Sequence, residues 1–134
     1  MTVDIAAQAD AWIEMTRLSD QAPEELFDRG FRLNILVMDD PQVGWDVIKL
    51  VAARHVGCDP FADPEGEPAR ILCNLGAGPL ETLLGHHGEA FIDPIEREAR
   101  ADPVMLWALS CVWTDRMPAA IQVRVQRVTG GFSP

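Results

Sequence analysis

Between Leu72 and Trp113 the chain carries three helix starts and two glycine stops, and most of the apolar residues between them can enter one core. Pro79, the Asp93-Pro94-Ile95-Glu96 run and Asp102-Pro103 are the starts. Asp accepts from the orphan amides of a first turn, and Pro loses nothing at the first helical position. Gly76-Ala77-Gly78 and Gly88 are the stops. A segment punctuated this closely has room for short helices and their turns, and for little else. The prediction is an all-α fold, a compact bundle of six or seven short helices.

The rest of the chain fits that frame. Residues 4 to 18 repeat Ile5, Ala9, Trp12, Ile13 and Met15 or Thr16 near helical spacing. Pro23 then suits a first helical position, with Glu24 and Glu25 favourable near the positive end of the helix dipole. The second helix carries Leu26, Phe27, Phe31, Ile35 and Met38, although Leu33 to Met38 also has the length of a strand. Asp40-Pro41 starts a helix that is apolar on two faces, with Trp45 on one of them, so it should be sandwiched. After Gly88, the next helix starts at Glu89, in which case Pro94 kinks it, or at Asp93 in a capping box. Asp93 with Arg97 and Glu96 with Arg100 stand at i, i+4 and suit a salt-bridged face. Residues 121 to 128 alternate like a strand and also fit a helix, which is the reading preferred.

One domain is expected over residues 1–129, with 130–134 as a tail. Residues 58–68 hold three prolines, one glycine and four acids with no base, an acidic loop between two sub-bundles. Asp40-Pro41 precedes Trp45 at the spacing by which Asp102-Pro103 precedes Trp107. A degenerate helical-hairpin, HEAT-like repeat leaves such an echo. Trp45 and Trp113 read as buried anchors.

Two segments carry a resemblance. One is Asp40-Pro41 to Val51 with its tryptophan. The other joins Gly76-Ala77-Gly78-Pro79-Leu80-Glu81 through Leu83-Leu84 to His87-Gly88-Glu89 and Phe91-Ile92-Asp93, then Asp102-Pro103, Val112-Trp113 and Met117-Pro118. Together they resemble a small bacterial domain family of unknown function. The resemblance implies an all-helical fold and brings no catalytic residue with it.

Charge narrows the partners. The net charge is -10; residues 1–67 hold 14 acidic and 5 basic side chains (-9), residues 68–134 hold 7 and 6 (-1). Such a field repels phosphate backbones and anionic lipid, so neither nucleic acid nor a membrane surface is an expected partner. A basic protein partner is, with Glu24, Glu25, Asp63 and Glu65 as candidate contacts. No apolar run nears the ~20 residues that cross a bilayer. The N-terminus lacks a basic region and an apolar signal core, so a cytoplasmic address is expected. Three cysteines, Cys58, Cys73 and Cys111, are an odd set, expected there as reduced thiols without a structural disulfide.

Candidate chemistry gathers at the glycines. Gly76 and Gly78 before a helix can form a small anion nest, and Glu81, His86 and His87 follow within two turns. Against this, the segment lacks the lysine and hydroxyl of a phosphate loop. On a regular helix Glu81 lies about 140° from His86 and about 240° from His87, so no shared face results. His55 and Cys58 would need distant Cys73 or Cys111 to hold a metal, and no Cys-x-x-Cys spacing supports it. No catalytic residue, metal or cofactor is therefore expected. The leading expectation is a non-enzymatic interaction module with an acidic surface, of which an immunity or antitoxin-type protein is one form. The alternative is a small-ligand-binding protein or enzyme with its site at Gly76, Gly78, Glu81, His86 and His87.

Overall fold

The computed structural model describes residues 2–134. Seven α-helices run in order: α1 (Ile5–Leu18), α2 (Glu24–Asp39), α3 (Pro41–Ala53), α4 (Glu67–Leu75), α5 (Glu81–Ala101), α6 (Pro103–Ser110) and α7 (Ala119–Thr129). A short 3-10 turn, Ser19–Gln21, follows α1, and a π turn, Gly76–Leu80, joins α4 to α5. The fold is all-α, and no strand forms among the described residues; both ambiguous segments, 33–38 and 121–128, are helical. Nor, among them, is any helix long and apolar enough to cross a membrane.

Local chemistry sets the helix starts. Asp4 Oδ1 accepts from the Ala7 amide at 3.0 Å, Asp102 Oδ1 from Val104 at 3.0 Å and Asp40 Oδ1 from Val43 at 3.5 Å. Pro41 and Pro103 occupy the following first positions, so α3 and α6 open alike. Their tryptophans Trp45 and Trp107 are both buried, and Trp107 Nε1 donates to the Ala69 carbonyl at 2.9 Å.

Helices α1, α2 and α3 pack pairwise, and α4 to α7 form a second group. The π turn touches α2, α3, α4, α5 and α6 and so fastens the two together. Its leading residue explains how. A Cβ built on Gly76 would collide with the backbone oxygen of Ala108, so α6 lies directly on the turn, where no side chain fits. Gly30 plays a similar part between α2 and α1, with Met15 Cβ 2.7 Å from where its own would stand. Leu33, Ile48, Leu72, Leu75, Leu83 and Leu109 are among the fully buried side chains of the shared core.

Several expectations are corrected by this packing. Cys73 and Cys111 form a disulfide, their Cα atoms 5.3 Å apart, while Cys58 is free. The contact of α6 with the π turn brings the end of α4 beside the end of α6, although 38 residues separate the two cysteines. Trp113 is 73% exposed, because α6 ends at Ser110 and leaves it in the loop beyond. Asp93 caps nothing: α5 runs through it and through Pro94, and its non-helical residue is His87 (φ -136°, ψ 31°). Pro94 follows the exposed Ala90 by four residues, so the carbonyl deprived of its amide is on a side that water reaches. Glu96 pairs with Arg100 at 2.8 Å, as the spacing predicts, but Asp93 pairs at 2.6 Å with Arg124 of α7 rather than with Arg97. The 58–68 loop and the tail meet: Phe61 stands edge-on to Trp107 at 5.1 Å and packs on Phe132 at 5.7 Å.

Candidate functional site

The glycine turn does not form an anion nest. Gly76 has helical φ and ψ, and its amide donates to the Leu72 and Cys73 carbonyls, while Pro79 has no amide to offer. The chain passes through the glycines as continuous helix, so no row of free N–H groups faces outward.

What the turn does instead is separate two clefts. On one side, α1, α2 and the turn border an open groove of about 620 Å³, walled by Trp12, Met15, Thr16, Phe31, Asn34 and Gly78. On the other, the first turns of α5 and the loop after α6 enclose about 610 Å³, with Glu81, His86, Trp113, Asp115 and Arg116 in its wall. The five predicted ligand residues are thereby divided. Gly78 lines the first cleft; Glu81 and His86 line the second; Gly76 is buried beneath α6. His87 turns away from both, its Nε2 bonding the Met38 carbonyl at 2.9 Å. That bond satisfies one of the last carbonyls of α2 and coincides with the break in α5. Glu81 and His86 share a wall despite their angular separation, because the Trp113 loop closes a cleft wider than one helical face. Glu81 Oε1 also accepts from the Trp113 backbone amide at 2.7 Å and so helps hold that loop.

Two polar side chains of the interior are engaged by backbone carbonyls. His55 Nδ1 bonds the Val51 carbonyl at 2.8 Å, and Ser110 Oγ donates to Leu106 O at 2.7 Å. Among the described residues no three His, Cys, Asp or Glu side chains gather in a metal-holding arrangement.

The most conspicuous surface lies on α2. Phe27, Phe31, Ile35 and Met38 are each 39–47% exposed and follow one another at three- or four-residue intervals along one side of the helix. Phe27 and Phe31 stack at 5.5 Å with their planes 16° apart. The helical spacing marks these four as apolar without saying which way they face; the buried positions are Gly30, Leu33, Leu36 and Val37. The signal was present, since α2 has two apolar stripes and only one can face inward. Asp28 is three residues from Phe31, Asp39 four from Ile35 and Arg32 three from Ile35, so exposed charges border the row, with carboxylates in excess.

The predicted partner residues sit on two elements. Glu24 and Glu25 occupy the first turn of α2, at the end of the apolar row. Asp63 and Glu65 belong to the loop that Phe61 anchors on Trp107 and Phe132, with Asp63 packed against Gly66. Near the far end of α5, Arg100 and then Arg124 hold the Glu96 carboxyl below the usual carboxylate range, while Asp93 and then Glu96 push Arg124 upward. Arg124 thus links α7 to α5 (2.5 Å to Glu96).

Neither a curated protein nor a solved structure matches the chain. One family model does, described as a family of unknown function (DUF6869), and it spans residues 17–131, from the end of α1 through α7; the second cleft lies wholly within it, whereas Trp12, Met15 and Thr16 of the first lie before it. The chain belongs to that family.

Proposed function

We propose that the protein is a non-enzymatic interaction module, and that the exposed face of α2 docks a basic, amphipathic segment of another protein. The row Phe27, Phe31, Ile35 and Met38 carries this reading. Large apolar side chains repeated along one helix face, rimmed by charge, are what a helix-in-groove or helix-on-helix contact uses. The bordering Glu24, Asp28 and Asp39 favour lysine or arginine on the partner. A second copy of the chain is the poorer occupant, because each half-interface would bring an N-terminal half at -9 against its twin. A protein that neutralises a basic toxin, as immunity proteins and antitoxins do, is one specific form.

A synthetic helix with leucines at i, i+4 and i+7 and lysines elsewhere provides the test, beside the same helix with glutamates for lysines. Titrated calorimetrically, the lysine peptide should bind and the glutamate peptide should not. Phe31→Ser with Ile35→Ser should weaken binding by about tenfold or more, the loss of two buried anchors. Equal binding of both peptides, or indifference to the double substitution, overturns the reading. So does self-association of the parent that the double substitution abolishes, which would make the face a homodimer contact. A second reading, small-ligand binding at the Gly76–Glu89 segment, draws support from the cleft that Glu81 and His86 share with Trp113.

A further inference from the structure

We propose that the cleft between the first turns of α5 and the loop after α6 binds a neutral carbohydrate, one sugar ring lying on Trp113 and its hydroxyls held by the charged side chains around it. This is the cleft of the small-ligand reading above, on which the assignment rests. At about 610 Å³ it has the size of ordinary small-molecule sites. Glu81, Thr82, His86, Asp115 and Arg116 bring two carboxylates, a guanidinium, an imidazole and a hydroxyl to its wall. Of these five side chains only Glu81 bonds to the protein among the described residues, so the other four keep their donors and acceptors for what enters.

Hydrated polar side chains occur on any surface; the indole distinguishes this cleft. Trp12, Trp45 and Trp107 are 2–4% exposed, whereas Trp113, in the cleft wall, is 73% exposed. An indole is among the largest apolar surfaces a chain can bury, and here it is left in water. Its backbone amide is nevertheless held, donating to Glu81 Oε1 at 2.7 Å. An aromatic surface beside unpaired polar groups suits a ligand that is apolar on one face and polar at its rim. Charge selects among such ligands. An anion would gain Arg116 but meet Glu81 and Asp115, in a protein at -10. A cation would gain the carboxylates but meet Arg116. A neutral ligand escapes both conflicts if it can donate to the carboxylates and accept from the guanidinium at once. Hydroxyls do both. Neighbouring hydroxyls suit the two-pronged geometry of carboxylate and guanidinium, and a pyranose ring adds a face of C–H groups that packs on an aromatic ring. Gly85 leaves room along α5, since a Cβ there would meet nothing within 4 Å.

The probes are maltose, cellobiose, lactose, mannobiose and chitobiose, with benzamidine as a flat cation and benzoate as a flat anion. Each is titrated into the full-length, ¹⁵N-labelled protein while the indole N–H resonance of Trp113, assigned with Trp113→Phe, is followed. At least one disaccharide should shift that resonance saturably and leave those of Trp45 and Trp107 in place. The same disaccharide should shield the protein's fluorescence from acrylamide, because Trp113 is the exposed indole. Benzamidine and benzoate should not saturate over the same range. Trp113→Ala should weaken the disaccharide about tenfold or more, the scale of an aromatic anchor lost, and Trp113→Phe should keep most of the affinity. Asp115→Asn and Arg116→Gln should each weaken it about threefold or more, the scale of a hydrogen bond. All three positions are exposed, so the melting temperature should hold. Gly85→Leu should block binding without lowering the melting temperature, since leucine is the better helix former. The proposal falls if no disaccharide gives a saturable response. Should benzamidine or benzoate then bind at Trp113, the small-ligand reading survives with a charged ligand; should every probe be silent, that reading falls too. The proposal falls equally if Trp113→Ala or Gly85→Leu binds as the parent does, or if Asp115→Asn and Arg116→Gln leave the affinity unchanged.

Discussion

Truncating Trp45 to alanine is expected to cost about 3–5 kcal/mol, because the indole is 3% exposed and its removal leaves a cavity in a sandwiched helix. Trp113→Ala should change stability by less than about 0.5 kcal/mol, since the side chain lies mostly in water. Chemical denaturation of the two variants beside the parent checks both. Glu96 has a different dependence. Its carboxyl is held low by Arg100 and Arg124, so it is ionised in the folded state at pH values where the unfolded chain already binds a proton. Its stabilising effect is complete above the ordinary carboxylate range and disappears as pH falls through the lower, folded value. Melting curves of parent and Glu96→Gln should therefore differ at neutral pH and converge in acid. A gap that persists at the acid end would assign the difference to packing.

The joint between α4, the π turn and α6 is where two substitutions should act on more than one helix. Gly76→Ala places a methyl into the Ala108 carbonyl, and the backbones must separate. Overpacking of this kind costs about 1–3 kcal/mol, and more where backbone rather than side chain is in the way. The disulfide reinforces the same joint. Closing a loop over 38 residues removes chain entropy worth about 4 kcal/mol from the unfolded state, before any strain in the folded one. Thermal melting with and without reductant, and of Cys73→Ser, should show a clear loss; Cys58→Ser should not respond to reductant differently from the parent. Unchanged melting on reduction would mean the joint is held by packing alone.

Charge acts over the entire protein. Reversing Glu24, Glu25, Asp63 and Glu65 to lysine should slow association with a basic partner more than it speeds dissociation, and added salt should have the same effect on the parent. The fold should survive, as all four residues are exposed. Stopped-flow mixing with the lysine peptide reads the two rates; an association rate that ignores both changes would remove the electrostatic part of the docking reading. That the domain is acidic and helical could be read from the chain itself, because charge is a sum over residues and helix starts depend on neighbours. Asp4, Asp40 and Asp102 cap the helices that they precede, and Pro41 and Pro103 open two of them, through contacts spanning two or three residues. The candidate site was legible only in part. Gly78, Glu81 and His86 do line clefts, but which cleft each one lines follows from α6 lying on Gly76 and from the loop that carries Trp113. The same holds for the two apolar stripes of α2, for the pairing of Cys73 with Cys111 and for the attachment of Asp93 to Arg124. Each depends on which surfaces of distant helices meet, and helical spacing alone, which marks both stripes of α2 as apolar, does not say which of them finds a partner.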